Sequence, residues 1–199
     1  MKPIVSIIIT NFNKEKYVKK CLQSCLEQSY KNFEICVADN NSTDNSLKVI
    51  NKFKNKVSVF NIPRSFKTGP QNQLFCIQKM VHKSKGKIIC LLDSDDFFYK
   101  NKLKEIVKAI KNNKKKFIFD KPVLGNNKKF NLKNKKNKHI WPTIFPSSSI
   151  SFLKKEFNNF NKLCFLKKKK FCYLAVDFRI QVYSMLIKKD YEIINKKLT

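Results

Sequence analysis

Short apolar runs alternate with amphipathic segments through the first 112 residues of this chain. The apolar runs have the length and β-branched character of buried strands, and they predict strands at Ile4–Ile9, Phe33–Ala38, Val57–Phe60 and Lys87–Leu92. Apolar residues with helical spacing predict helices at Glu15–Glu27, Asp44–Phe53, Gly69–His82 and Lys100–Lys111. This alternation is typical of an α/β fold in which helices flank a mostly parallel central sheet.

The pattern changes after the fourth predicted helix. Residues 114–138 are mostly Lys and Asn and predict a long exposed loop, with short strand pieces at Lys116–Phe119. An apolar, Ser-rich segment follows at His139–Ser151. Phe171–Ile187 returns to the spacing of an amphipathic helix.

The length of 199 residues fits one continuous domain, in which residues 1–112 form a first half and residues 113–199 a smaller second half. The seven cysteines are an odd number without the pair spacing of a metal site, which indicates reduced thiols. The sequence shows neither a signal peptide nor an apolar run near the roughly 20 residues of a membrane span. These features predict a cytoplasmic protein.

The formal net charge is +29 at pH 7, and nearly all of the positive charge is Lys. Proteins that read DNA bases favour Arg, which occurs here only as Arg64 and Arg179, so no specific nucleic-acid partner is expected. Lys, Asn, Ile and Phe have AT-rich codons, so an AT-rich genome explains the excess without selection for anions. The alternative is peripheral contact of residues 114–138 and 167–170 with anionic lipid at the inner membrane face.

The densest cluster of carboxylates follows the fourth predicted strand. The chain has eight Asp, and Asp93, Asp95 and Asp96 lie within four positions of one another. Because like charges repel, such a cluster favours a divalent cation that carries a diphosphate. In open α/β sheets this carboxyl edge binds ligands. The alternative is an acidic loop that caps the helix at Lys100.

Two further acidic positions are candidates for chemistry. Asp39 opens a run of turn residues after the second predicted strand, where a carboxylate can accept from a base N–H or a ribose hydroxyl. The alternative is a plain strand-to-helix turn, capped by Ser42 or Thr43. Asp177 lies within an apolar helical stretch, where burial would raise its pKa and suit it to general-base work. The alternative is an ion pair with Arg179 or a lysine.

Several motifs of this chain occur in the order seen in family 2 glycosyltransferases, which have the GT-A fold. They are Cys21-Leu22-Gln23-Ser24, then Gln28-Ser29-Tyr30-Lys31-Asn32-Phe33-Glu34, then Asp39–Asp44, and finally Lys85–Asp96. About half of the chain resembles that family closely. The resemblance implies a Rossmann-like sheet with a smaller acceptor-side subregion, and an enzyme of cell-surface polysaccharide biosynthesis. The reaction it implies is sugar transfer, with inversion, from a nucleotide-diphosphate sugar, most simply a UDP-sugar, to a glycan or lipid-linked acceptor.

The resemblance also implies roles for matched positions. Asn11, Phe12 and Asp39 would line the nucleotide pocket, Asp93 would contact the ribose or the metal side, and Asp95 would ligate Mn²⁺ or Mg²⁺. In this comparison residues 1–112 form the donor half, which ends in the helix after the Asp-x-Asp motif, and residues 113–199 form the acceptor half.

The acceptor half would supply the base and the acceptor contacts. Asp177 matches the general base by its order in the chain and by the helix that follows it. Trp141 is a candidate to stack on an acceptor sugar, with Ser147, Ser148 and Ser149 as hydrogen-bonding groups.

The chain departs from the family pattern in several places. Thr10 replaces a usual Pro, Val176 precedes Asp177 where an acid is common, and many relatives extend further. The segment Gly69–Gln73 stands in place of an Arg-Asn segment, which leaves Arg64 and Lys67 as candidates for the diphosphate. Two alternatives stay open: a catalytically dead relative that binds nucleotide, and a basic nucleic-acid-binding module.

Overall fold

The structure, a computed structural model, describes residues 4–123, 145–163 and 172–199. Across these residues the chain builds one seven-stranded sheet, with the strands in the order β3-β2-β1-β4-β6-β5-β7. The strands are β1 (Val5–Asn11), β2 (Phe33–Asp39), β3 (Ser58–Asn61), β4 (Ile88–Asp93), β5 (Phe117–Lys121), β6 (Ile150–Leu153) and β7 (Tyr191–Lys197).

Helices cover both faces of this sheet. They are α1 (Val18–Leu26), α2 (Ser46–Asn51), α3 (Gly69–Lys83), α4 (Lys102–Asn113), α5 (Phe157–Leu163) and α6 (Val176–Gln181). A π-helical segment, Val182–Lys188, continues α6, and short 3₁₀ turns lie at Ser147–Ser149 and Lys154–Glu156. The expected α/β class is confirmed.

The sheet is mostly parallel, as expected. Strand β1 pairs in parallel with both β2 and β4, β2 with β3, and β5 with β7, whereas β6 runs antiparallel to β4 and β5. The chain therefore leaves β1 to one side for β2 and β3, and adds β4 on the other side. This reversal makes the carboxyl ends of β1 and β4 the topological switch point of the sheet.

Alternate residues of the central strands fill two separate cores, because successive side chains of a strand point to opposite faces. Ile7 and Ile9 of β1 pack in the core that contains Leu22 of α1 and Ile106 of α4. Ile8 packs in the other core, with residues of α3, α5 and α6. Burial on both faces explains why β1, β2 and β4 read as continuous apolar runs.

Helix α3 begins where the sequence predicts it. Thr68 is its N-cap and accepts the backbone N–H of Gln71 through Oγ1, and Pro70 stands in the first turn, where no N–H is needed. The expectation for α2 was wrong at its start. This helix begins at Ser46. The backbone N–H of Ser46 donates to Asp44 Oδ1, and neither Ser42 nor Thr43 caps the helix.

The second half departs most from expectation. The predicted helix Phe171–Ile187 is helical only from Val176 onward in the described part, and strands β6 and β7 were not predicted. In β6 the pattern is interrupted by Ser151, whose buried hydroxyl contacts Cys90 Sγ at 3.3 Å. Strand β7 lies at the sheet edge and is partly exposed, so its apolar signal is weak.

Six cysteines within the described ranges carry free thiols, and five of them are buried, as expected. Burial raises the pKa of Cys36 and of Cys76 to about 12, which keeps both in the thiol form.

No helix in residues 4–123, 145–163 and 172–199 combines the length and apolar character that a bilayer span requires.

Candidate active site

The carboxyl ends of β1, β2 and β4 lie side by side at one edge of the sheet. The parallel register pairs Asn11 with Asp39 and Thr10 with Asp93, so predicted site residues from separate segments become neighbours. A cleft of about 390 Å³ lies at this edge. Its lining residues are Thr10, Asn11, Phe12, Lys14, Asn40, Arg64, Gly69, Gln73, Cys76, Asp93, Ser94 and Asp95.

Asp39 is fully buried and supports the cleft through its neighbours. Its Oδ1 accepts hydrogen bonds from Asn11 Nδ2 at 2.7 Å and Ser42 Oγ at 2.6 Å, and its Oδ2 accepts from the backbone N–H of Ser42. The amide nitrogen of Asn11 faces this carboxylate. The amide oxygen of Asn11, Oδ1, is therefore left buried with no hydrogen-bond partner within the described ranges. An unpaired buried acceptor costs about 1–3 kcal/mol, so Asn11 is suited to accept from a ligand.

Phe12 and Arg64 form a second wall of the cleft. The guanidinium carbon of Arg64 lies 3.9 Å from the centre of the Phe12 ring, and Nη1 donates to Asn40 Oδ1 at 3.2 Å. Asn40 is itself fixed by donating to the carbonyl of Ile62 at 2.9 Å. An exposed ring beside a cation suits a planar base and an attached phosphate. Lys67, the other cationic candidate, is not part of this lining.

Neutral donors from three distant segments hold Asp93. Its Oδ1 accepts from Gln73 Nε2 at 2.7 Å and Thr10 Oγ1 at 3.1 Å, and its Oδ2 accepts from Ser147 Oγ at 2.5 Å. Burial raises the pKa of Asp93 to about 6, the Ser147 hydroxyl lowers it, and the nearby Asp96 carboxylate raises it. Nothing in the sequence pattern marked Gln73 as a partner of this group.

The 3₁₀ turn Ser147–Ser149 also holds Asp96 and the backbone of Asp93. Ser148 donates through Oγ to Asp96 Oδ2 at 2.5 Å and accepts the backbone N–H of Asp93 at 3.0 Å. In this structure the Ser148 hydroxyl is engaged with the acidic cluster, and its predicted contact with the acceptor stays a prediction. Trp141, the other acceptor candidate, lies outside the described residues, as do residues 124–138 and 167–170 of the basic runs.

A buried ion pair lies behind this turn. Lys102 and Asp120 are fully buried, and the Lys102 ammonium donates to Asp120 Oδ2, to the carbonyl of Ser148 at 3.0 Å and to Thr199 Oγ1 at 2.8 Å. The ring of Phe98 lies 4.7 Å from the same ammonium. Every donor of the buried cation is therefore satisfied, which such a pair requires.

Asp95 faces the cleft and fits a cation site that is completed by substrate. Its carboxylate is 40% exposed and contacts Lys14 Nζ at 2.6 Å. The described residues hold no ready cluster of three metal-ligating side chains. Mg²⁺ is commonly held by one or two carboxylates together with substrate phosphates. Asp95, with Asp93 two residues away, meets that requirement when a diphosphate supplies the remaining oxygens.

Asp177 lies in the first turn of α6 and is half-buried. Burial raises its pKa, and the backbone N–H of Phe178, which donates to its Oδ1, lowers it. Thr68 Oγ1 donates to the carbonyl of Cys172 at 2.7 Å, which ties the segment before α6 to the start of α3. Gly69, at that start, lines the cleft, whereas Asp177 itself is not among the residues that line it.

A mostly parallel α/β sheet with a polar cleft at its topological switch point defines a protein of the Rossmann-like class. The chain belongs to glycosyl transferase family 2, because the model of that family matches residues 6–192. The resemblance found in the sequence is thereby confirmed.

Curated relatives match about half of this chain. An uncharacterized glycosyltransferase of Haemophilus influenzae is 36% identical over 106 residues, which are 52% of this chain and 40% of that protein. The Escherichia coli enzyme UDP-Glc:alpha-D-GlcNAc-diphosphoundecaprenol beta-1,3-glucosyltransferase WfaP is 35% identical over 100 residues, 50% of this chain and 38% of its own length.

Solved structures share the whole fold. TarS of S. aureus in complex with UDP superimposes with a TM-score of 0.74 at 19% identity, covering 100% of this chain and 59% of that chain. The mannosyltransferase PcManGT from Pyrobaculum calidifontis, in complex with GDP-Man and Mn²⁺, gives 0.66 at 14% identity, covering 99% and 55%. The fold is thus the GT-A fold.

Proposed function

We propose that this protein transfers a sugar from a nucleotide-diphosphate sugar to a hydroxyl of a glycan or lipid-linked acceptor, with inversion and assistance from a divalent cation. The observation that carries the proposal is the cleft at the switch point, where Asp93 and Asp95 stand beside Asn11, Phe12 and Arg64. Family membership supports the reaction class.

A UDP-sugar is the donor that the comparisons favour. TarS is described with UDP and with UDP-GlcNAc, and WfaP is named for transfer from UDP-Glc to a diphosphoundecaprenol-linked sugar. PcManGT is described with GDP-Man, so the identity of the nucleotide base has to be tested by experiment. The complex of PcManGT with Mn²⁺ supports Mn²⁺ or Mg²⁺ as cofactor. The lipid-linked acceptor in the name of WfaP supports an acceptor of that kind, which agrees with a proposed role in cell-surface polysaccharide assembly.

Residues 1–112 would bind the donor in this proposal. Phe12 and Arg64 would hold the base and the first phosphate, and Asn11 would accept from the base or ribose and so satisfy its unpaired oxygen. Asp93 would orient the ribose and the cation, and Asp95 would ligate the cation. A bound Mn²⁺ or Mg²⁺ would neutralise the charge on the diphosphate.

Residues 113–199 would present the acceptor and the base. Asp177 would take the proton of the acceptor hydroxyl, whose oxygen then forms a bond to the anomeric carbon on the face opposite the diphosphate. The bond between that carbon and the diphosphate breaks, and its electron pair leaves with the diphosphate. The raised pKa of Asp177 brings its proton affinity closer to that required of a base.

Calorimetric titration with UDP, GDP, dTDP and CMP tests the donor site, with and without Mn²⁺ at physiological salt. We expect one nucleoside diphosphate to bind in a cation-dependent manner, and Asp95→Asn to remove the cation dependence. Asp190→Asn is the matched control, because Asp190 pairs with Lys116 and is not part of the cleft lining. Binding of no nucleotide by the folded protein would contradict the proposal. Nucleotide binding without detectable sugar transfer would favour the catalytically dead relative.

A further inference from the structure

The cation position at Asp95 is already filled by a side chain of the protein. Lys14 Nζ lies 2.6 Å from Asp95 Oδ2, and both residues line the cleft. The pair bridges two elements, since Lys14 follows β1 and Asp95 follows β4. A lysine therefore offers its charge where the proposed function requires a divalent cation.

The backbone of Lys14 is held firmly, so only its side chain is free to move. Its N–H donates to Ser46 Oγ at 2.8 Å, and its carbonyl accepts from the N–H groups of Tyr17 and Val18 at 2.9 and 3.0 Å. The preceding Asn13 has a left-handed backbone, with φ 51°, and its side chain is bound to Thr43. The ammonium thus stays within reach of the cleft whether or not it contacts Asp95.

The strength of this contact is suited to exchange. The side chains of Lys14 and Asp95 are 38% and 40% exposed, and exposed ion pairs are weak, so a second cation can replace the ammonium. A diphosphate in the cleft offers the ammonium an alternative anion of higher charge. The arrival of a diphosphate would therefore release Asp95 at the moment when a cation is needed.

We propose that Lys14 occupies Asp95 in the nucleotide-free protein and moves to the donor diphosphate, so that the divalent cation and the nucleotide bind cooperatively. The inference rests on the proposed function and adds a residue that couples the binding of the cation to that of the nucleotide. By linkage, the cation strengthens nucleotide binding by the same factor as the nucleotide strengthens cation binding.

Titration with Mn²⁺ alone, with the free ion followed by electron paramagnetic resonance, tests the first step. We expect Lys14→Met to bind Mn²⁺ about 2- to 5-fold more tightly than the unmodified protein, the range that an exposed ion pair supplies. Lys14→Arg keeps the positive charge of the side chain, so its affinity for Mn²⁺ should match that of the unmodified protein. Lys16→Met is the charge-matched control: Lys16 is exposed and is not part of the cleft lining.

The same titration at saturating UDP tests the second step. The ratio of the two Mn²⁺ affinities, with and without UDP, should be smaller in Lys14→Met than in the unmodified protein and in Lys14→Arg. In Asp95→Asn the Lys14→Met change should have no effect on Mn²⁺ binding. Equal Mn²⁺ affinities in Lys14→Met and Lys16→Met, or an absence of measurable binding in both, would overturn the inference.

The two proposals fail in different ways. The titration with Mn²⁺ alone needs no nucleotide, so its result stands even if no nucleoside diphosphate binds. If the unmodified protein binds UDP and Mn²⁺ together, and the Lys14 variants behave like it, the inference is wrong and the proposed donor site remains.

Discussion

At the scale of single residues, neutral donors hold Asp93 and Asp96 against the cost of burial. Asp93 accepts from Gln73, Thr10 and Ser147, yet burial still raises its pKa to about 6. The pKa of Asp96 is also raised by burial, although Ser148 donates to it. Carboxylates kept ionised at this cost favour a cation or a ligand donor, which is the environment expected of a binding site.

Asp93→Asn should stabilise the protein at neutral pH. Folding raises the pKa of this carboxyl from 3.8 to about 6, so the protonated group stabilises the fold below pH 4. This contribution to the free energy of unfolding, on the order of 3 kcal/mol, is lost as the pH rises through 6. Thermal unfolding measured from pH 4 to 8 should show this slope in the unmodified protein and a smaller slope in Asp93→Asn. Equal slopes would contradict the assignment.

Asp177→Asn should lower kcat for sugar transfer by about 10²- to 10⁴-fold, the range for loss of a general base. Because burial raises the pKa of Asp177, transfer by the unmodified protein should increase as pH rises through a value above that of an ordinary Asp. Steady-state kinetics with the donor found by titration measures both effects. Nucleotide affinity should be unchanged, and a large loss of it would place Asp177 in the donor site instead.

At the scale of elements, the 3₁₀ turn Ser147–Ser149 connects the acidic cluster to the second half of the chain. On one side its hydroxyls hold Asp93 and Asp96, and on the other its backbone is bound by the buried Lys102. The predicted contact of this segment with the acceptor stays a prediction. The observed hydrogen bonds show that the turn holds two carboxylates at the end of β4.

Lys102→Met should destabilise the protein by about 3–5 kcal/mol, because it leaves the buried Asp120 without its charge partner. Replacing both residues, as Lys102→Met with Asp120→Leu, should be less harmful than the single change. Urea unfolding measures the difference. Lys104→Met is the control on the same helix, where an exposed side chain should change stability by no more than about 0.5 kcal/mol.

At the scale of the whole molecule, one sheet joins both halves of the chain, since β6 lies between β4 and β5. The chain spans about two-fifths of the length of the curated relatives named above. Its net charge is +29, and much of the Lys-rich sequence that carries this charge lies outside the described residues.

If the Lys excess serves membrane contact, co-sedimentation with vesicles should rise with their anionic lipid content and fall with salt. Each Lys near the surface should contribute on the order of 1 kcal/mol to the free energy of binding. Zwitterionic vesicles are the control. Binding that does not depend on anionic lipid would leave codon composition as the explanation. Binding to DNA is expected to disappear at physiological salt, as for nonspecific charge.

The sequence predicted the elements whose signal is local. Strands β1, β2 and β4 are buried on both faces and read as apolar runs, and α3 carries its own cap in Thr68. Strands β6 and β7 escaped prediction, since one is interrupted by a buried Ser and the other is a partly exposed edge. Parallel pairing also follows from the alternation of strands and helices, so the edge that carries Asp39 and Asp93 was predictable.

The sequence by itself determined the fold class, the family and the carboxylates at the sheet edge, because periodicity and contiguous motifs encode them. Only the tertiary structure decided which groups hold those carboxylates. The donors to Asp93 come from positions 10, 73 and 147, and the ammonium that contacts Asp95 belongs to Lys14. Such partners meet because helices and strands pack across the sheet, and no local pattern records which distant side chains that packing brings together.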